Sequence, residues 1–327
     1  MEAPVGRVAS AAGVRAPLAP FFSPGRHRVG TGNLFLPSAV MLHSVDRILV
    51  AVRSLDEAQQ NYTNILAAQP LGDFDSPWLN ARVRRMALGT TEVELCQPLG
   101  AGPVQSHLDA LGEGLVFGGV STPDLAAFGR QLVERGVRHV AADGRLYLER
   151  EDLYGMPLVV SAAAPEVARA AGPVEFLYEL TMVLRSPWKE VEAHYADRLG
   201  LQRERSVGIT FERFGYTGSL MMFGPDRLDR IELSEAHDPA FPMGRFSAKR
   251  GDALYMCYVQ TDDLAEVIAR LEKHGQRYTR RTQTPVERDG LWIHPSAVNG
   301  VLMGVSRHSL AWQWSGRPDR VQPLQEV

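Results

Sequence analysis

Glu94 in VELCQP and Glu232 in IELSEA lie 138 positions apart, and Leu115 in GEGL and Leu254 in GDAL lie 139 apart. A near-constant interval of that length makes the chain a tandem of two halves built to one design. Each half divides again. Strand-like runs at Ile48–Val52, Val116–Val120, Leu180–Leu184 and Tyr255–Val259 each precede a segment with a helical apolar period. In the fourth segment Leu264, Val267, Ile268 and Leu271 fall at i, i+3, i+4 and i+7, with Asp262 or Thr261 to cap the start and Gly275 to end it. The second places Leu125, Phe128, Leu132 and Val133 on one face, between Thr122 and Gly136. The third uses Val191, Tyr195 and Leu199 and closes at Gly200; the first, Leu55 to Leu66, is more polar. Short strands such as VRRMAL and TEVELC follow each helix, so the unit is strand, helix, then two or three strands, four times over.

The ordinary globular balance of 45% hydrophobic and 22% charged residues leaves no apolar run long enough for a membrane span. A net charge of -3 gives no electrostatic reason to expect nucleic acid, so a small molecule is the natural partner. Cys96 and Cys257 sit far apart in apolar runs, which argues against a disulfide framework and for a cytoplasmic, reducing compartment. Residues 1–42, rich in Ala, Pro, Gly, Ser and Arg with Glu2 as the sole acid, read as a disordered extension or an upstream start before Met41. A transit peptide is the other reading, without an amphipathic helix to support it. The expected units are 43–162 and 173–310, joined by an Ala-rich linker at 163–172 that holds Pro165, with a tail at 311–327.

The connectors QPLGAGPVQSHLDALGEGL and SEAHDPAFPMGRFSAKRGDAL resemble the link between the two modules of methylmalonyl-CoA epimerases and related glyoxalase-like proteins. The ending LWIHPSAVNGVLMGV is similar to that family's last turn and strand. The resemblance is to the vicinal oxygen chelate (glyoxalase, bleomycin-resistance and dioxygenase) superfamily, and it covers Val45 to Val305. It implies an α+β fold: four βαβββ modules paired into two cup-shaped units of curled sheet, each around a substrate cavity. It also implies a divalent metal in the cavity, held by a His opening the first module, a late Glu or Gln, a His opening the second module and a Glu on the last strand.

Carried over residue by residue, those positions fall on Arg47, Glu94, Phe117 and Val159 in the first half. In the second they fall on Glu179 (or Leu180, one residue along), Glu232, Met256 and Gly304. A guanidinium does not coordinate metals, and aliphatic or aromatic side chains have nothing to offer one. No cofactor is therefore expected, beyond a weak oxygen-only divalent site at Glu179 and Glu232.

The retained acids carry what chemistry remains. Desolvation in an apolar cavity would raise the pKa of Glu94 or Glu232 and make either a usable proton-transfer group. Arg47 near Glu94 would either replace the metal charge as an electrophile or lock Glu94 in a structural salt bridge. Glu179 and Glu232, with no obvious counter-ion, would share a proton, one serving as acid to the other's base. Tyr255, Met256, Tyr258, Phe117, Met182, Met222 and Met303 are the expected lining, suited to an apolar or planar ligand, with barrel filling as the plain alternative. His294 in the HP pair is a substrate-side candidate or a turn histidine; His194, His237 and His308 show no metal-ligand spacing. Neither a phosphate-binding Gly-rich loop nor a GxSxG elbow is present.

Three functions follow from the resemblance. One is a metal-independent isomerase or lyase that moves a proton on an oxygenated small metabolite with a cavity Glu. A second is a binder that sequesters an apolar or aromatic compound without turnover. A third is a metal-dependent glyoxalase- or dioxygenase-like enzyme with an atypical site. A monomer or a homodimer fits the tandem.

Overall fold

The β-branched and aliphatic run around Ile48 forms strand β1 (Ser44–Ala51), whose two faces diverge at once: Ile48 and Val50 join one core and Leu49 and Ala51 another. The computed structural model describes residues 41–164, 169–281 and 290–323. Ser54 caps helix α1 (Leu55–Leu66) by accepting from the Glu57 N–H, and Leu55, Ala58, Tyr62, Ile65 and Leu66 form its buried stripe. Strands β2 (Gln69–Ser76), β3 (Ala81–Leu88) and β4 (Thr91–Pro98) complete the first module. Helix α2 (Pro103–Leu111) leads to the second: β5 (Gly114–Thr122), α3 (Leu125–Glu134), β6 (His139–Ala142), β7 (Arg145–Leu148) and β8 (Leu158–Ala162).

The other half repeats the order. It runs β9 (Val174–Leu184), α4 (Trp188–Leu199), β10 (Val207–Phe211), β11 (Tyr216–Met222) and β12 (Arg230–Ala236). Helix α5 (Pro242–Arg250) then leads to β13 (Ala253–Thr261), α6 (Leu264–Lys273), β14 (Tyr278–Arg280), β15 (Gly290–Ile293) and β16 (Leu302–Arg307).

The strands make two curled eight-stranded sheets of identical plan, β2-β3-β4-β1-β5-β8-β7-β6 and β10-β11-β12-β9-β13-β16-β15-β14. At the centre of each, the opening strands of two modules pair antiparallel (β1 with β5, β9 with β13), and each module's last strand returns parallel to its first. This is the α+β glyoxalase-like architecture expected from the four modules.

One continuous core lies on the outer faces of both sheets and takes in the helices: Ile48, Val93 and Val160 from the first share it with Leu180, Ile231 and Val305 from the second. The sheets approach closely there, since a Cβ on Gly118 of β5 would come within 2.4 Å of Leu180 of β9. The inner faces are separate: Leu49, Val83, Phe117 and Val159 fill the first, and Tyr178, Leu220, Met222 and Leu228 belong to the second.

Several expectations need correcting. Two helices unmarked by the apolar period, α2 and α5, occupy the connectors; each starts on Pro and stops at a glycine, Gly112 or Gly251. Val133 does not share the buried face of α3, being 68% exposed, while Gln131 takes its place. The caps of α3 and α6 are Asp124 and Asp263. Within the tail, Ala311, Trp312 and Trp314 pack against Tyr178 and Tyr258. The extension at 1–40 and the linker positions 165–168 lie outside the described residues. No described helix is long and apolar enough to cross a membrane.

Candidate active site

A β-bulge at the same place in each half sets the site geometry. Between Val45 and Arg47, and again between Leu177 and Glu179, one extra residue interrupts the pairing with the partner strand. Two consecutive residues thereby serve the inner face, Asp46 with Arg47 and Tyr178 with Glu179. A strict period of two forbids such a pair.

In the first half Glu94 stands opposite Leu49 on β4 and is 0% exposed. Arg145 reaches it from β7 with two bonds of 2.7 Å, and Arg47 adds a third at 2.9 Å. Arg47 also donates to Asp46 at 2.7 Å, and Ser161 donates to the same carboxylate oxygen at 2.8 Å. Arg47 and Glu94 thus meet in a salt bridge, while Arg47 Nε and Asp46 Oδ1 are buried without a hydrogen-bond partner among the described residues. The neighbouring volume is filled: Trp78 stacks on Tyr147 with ring centres 4.1 Å apart, and Phe117 sits edge-on to Tyr147 at 5.6 Å. Val159 belongs to the same cluster.

The second half is different. Glu179 accepts from Arg230 Nε at 2.8 Å and from the Thr181 hydroxyl at 2.7 Å. Arg230, wholly buried, also donates to Ser315 at 2.8 Å and lies 4.8 Å over the Tyr178 ring. The expectation of an acid pair without a counter-ion is thus corrected, because Arg230 precedes Glu232 by two on β12 and shares its face. Glu232 is 7% exposed and accepts from Ser234 at 2.6 Å. Burial, with the adjacent Glu179 carboxyl second, raises its pKa to about 8, which favours the protonated form.

Around the pair, Tyr258 spans the position opposite Glu179, and its hydroxyl accepts from the Trp292 indole at 2.7 Å. Its ring covers Gly304, where a Cβ would come within 2.1 Å of it. Met256 is buried opposite Thr181, and Met222 packs with Leu220 and Ile209 on the inner face. Met182 and Met303, expected in the lining, instead join the outer core, as does Leu180, since alternation turns them away from Glu179. Tyr255 leaves the site as well, edge-on to Phe246 of α5 at 4.7 Å. His294 caps the turn Pro295–Ala297 and pairs with Ser296.

At the family's metal positions the carboxylates of Glu94 and Glu179 are bonded to arginines and that of Glu232 to Ser234, and the other positions offer a divalent ion no hard donor. Guanidinium, phenyl and isopropyl groups stand at Arg47, Phe117 and Val159, and Met256 and the Tyr258-covered Gly304 at the corresponding places of the second half. Among the described residues no group of three or more His, Cys, Asp or Glu side chains is placed to hold a metal. A polar cleft of about 650 Å³ opens where the starts of β1 and β9 meet, and it reaches Asp46 and Arg47 of the first-half network, with His43, Asp229, Gln260 and Trp312 among its other walls.

Residues 46–151 match the family model of the Glyoxalase/Bleomycin resistance protein/Dioxygenase superfamily. The first sheet unit therefore carries a domain of that superfamily, and the described chain as a whole has its two-unit fold. A mutant of 4-hydroxymandelate synthase from Streptomyces coelicolor superposes with a TM-score of 0.62 at 13% identity, covering 81% of this chain and 92% of that one. A xylose isomerase-like TIM barrel/4-hydroxyphenylpyruvate dioxygenase fusion protein gives 0.56 at 10% identity, over 85% of this chain and 51% of that one. Methylmalonyl-CoA epimerase from Mycobacterium tuberculosis gives 0.36 at 22% identity, over 42% of this chain and 91% of that one. No curated protein matches the sequence. The first two likenesses establish fold and leave the chemistry to the site.

Proposed function

We propose that the protein is a metal-independent enzyme that moves a proton on an oxygenated small metabolite in its second cup, with Glu232 as the transfer group and the first cup as scaffold. The observation that carries this reading is the buried acid pair: Glu232, 7% exposed and bonded to Ser234, lies beside an Arg-bound Glu179, and burial raises its pKa. A group with a pKa near the working pH is the most effective acid and base in turn. Glu232 gives its proton to a carbonyl oxygen of the substrate and takes one from the adjacent carbon, so the residue ends as it began and the substrate becomes its enol. In a 2-hydroxy ketone, Glu232 then takes the proton of the adjacent hydroxyl and gives one to the former carbonyl carbon, which completes an isomerisation. In other substrates it returns a proton to the carbon that lost one. While Glu232 is ionised, the positive charge of Arg230 steadies it.

The aromatic walls supplied by Tyr258, Trp292 and Trp314 favour an apolar or planar substrate body. The experiment is to incubate the protein with 2-oxo acids, 2-hydroxy ketones and acyl thioesters in deuterated water and follow proton exchange by NMR. Exchange that falls at least ~100-fold in Glu232→Gln, in line with the usual worth of a general acid or base, supports the reading. Tight binding of a compound with no exchange by the wild type favours sequestration instead.

A further inference from the structure

Each of the buried arginines described so far answers to a carboxylate: Arg47 and Arg145 to Glu94, Arg230 to Glu179. Arg281 does not. It follows β14, is 8% exposed, and its backbone N–H is spent on Gly290. Among the described residues its guanidinium makes no hydrogen bond and no ion pair; what it has is aromatic faces, Trp314 at 4.4 Å and Trp292 at 5.6 Å. None of its nitrogens is wholly buried, so a cation held mostly inside the protein without a protein anion among the described residues presents its N–H groups to a ligand that supplies the missing charge.

Its position joins it to the acid pair. Trp292 donates to the Tyr258 hydroxyl, Tyr258 stands opposite Glu179 across the β9–β13 pairing, and Trp314 packs with both the Tyr258 and the Tyr216 clusters. The charge of Arg281 is felt at Tyr216 and Tyr258, and so are those of Glu179 and Glu232. The two tyrosines therefore lie between Arg281 and the buried acid pair. With indoles against the guanidinium, its edge N–H groups are what remains for a ligand, and a flat fork of donors matches a carboxylate in two parallel bonds.

We propose that Arg281 is the anion anchor of the second cup, and that the ligand is an organic carboxylate whose skeleton lies over Tyr258 toward Glu232. This rests on the reading of the second cup as the working site. It narrows the substrate class to a carboxylic acid bearing a planar or apolar body, and it gives Arg281 a binding role, apart from proton transfer.

Calorimetric titration of the full chain with benzoate, neutral benzamide and inorganic phosphate, alongside thermal melting, tests the assignment. The expected result is saturable benzoate binding that raises the melting temperature, with benzamide at least ten times weaker. Arg281→Gln erases that preference. Arg281→Lys, which keeps the charge without the fork, retains it in weakened form, so the test survives if Arg281→Gln fails to fold. Any one of three results overturns the proposal: no saturable benzoate binding, equal binding of benzamide, or a preference for phosphate. Exchange that depends on Glu232 but ignores Arg281 removes the anchor and spares the proton-transfer reading. Benzoate held through Arg281, with no exchange on any substrate, does the reverse.

Discussion

The two cups put the same residue types to opposite uses. Glu94 is clamped by Arg47 and Arg145, whereas Glu232 has a hydroxyl and another acid for neighbours. Replacing Glu94 by Gln leaves Arg145 without its anion and Arg47 with Asp46 alone, and should cost roughly 3–5 kcal/mol in urea unfolding. Glu232→Gln should cost little, because an amide replaces a group that is already neutral. The pH dependence separates the two further. The folded-state pKa of Glu232, about 8, lies above its unfolded value, so the folded protein binds the extra proton and stability falls as pH rises from about 4.5 to 8. Glu232→Gln should flatten that part of the curve in thermal melts; an unchanged slope would count against a protonated Glu232. Much of this was readable beforehand. Glu94, Glu179 and Glu232 stand out in the sequence, and Arg230, Thr181 and Ser234 each sit two residues from a chosen acid on the same strand face. Arg145 could not be found that way, since it reaches Glu94 across the sheet from β7.

Elements were legible where one period governed them. The apolar stripes of α4 and α6 fall on the residues the sequence singles out, and α1 has the bounds expected of it. The failures have local causes. At α3 the stripe rotates, so Gln131 is covered and Val133 faces water. Leu132→Ala should accordingly cost about 2–5 kcal/mol, and Val133→Ala should stay within about 0.5 kcal/mol, both measured by denaturant unfolding. The bulges before Arg47 and Glu179 break alternation, which is why Asp46 and Tyr178 did not register as inner-face residues. Helices α2 and α5 carry too few apolar residues for a periodic signal, but the Pro and Gly that bracket them were in view.

For the molecule as a whole, the 138-residue repeat foretold two matching sheets, but not that they share one core. Bonds across the halves reinforce it: Val45 N–H to Asp229 at 2.8 Å, Leu177 N–H to Thr91 at 2.9 Å, and the Tyr195 hydroxyl to the Leu153 carbonyl at 2.7 Å. The protein should therefore unfold in one calorimetric transition, with equal van't Hoff and calorimetric enthalpies; two separated transitions would mean that the shared core is not cooperative. A first cup whose acid is clamped by two arginines and a second that holds an acid pair together make the asymmetry on which the functional reading depends. Isotope-edited infrared spectroscopy of the carboxylic C=O stretch at pH 7 reads it directly. A band from a protonated carboxyl should be present in the wild type, vanish in Glu232→Gln and persist in Glu94→Gln. Absence of that band from the wild type at pH 7, or its survival in Glu232→Gln, would contradict the account.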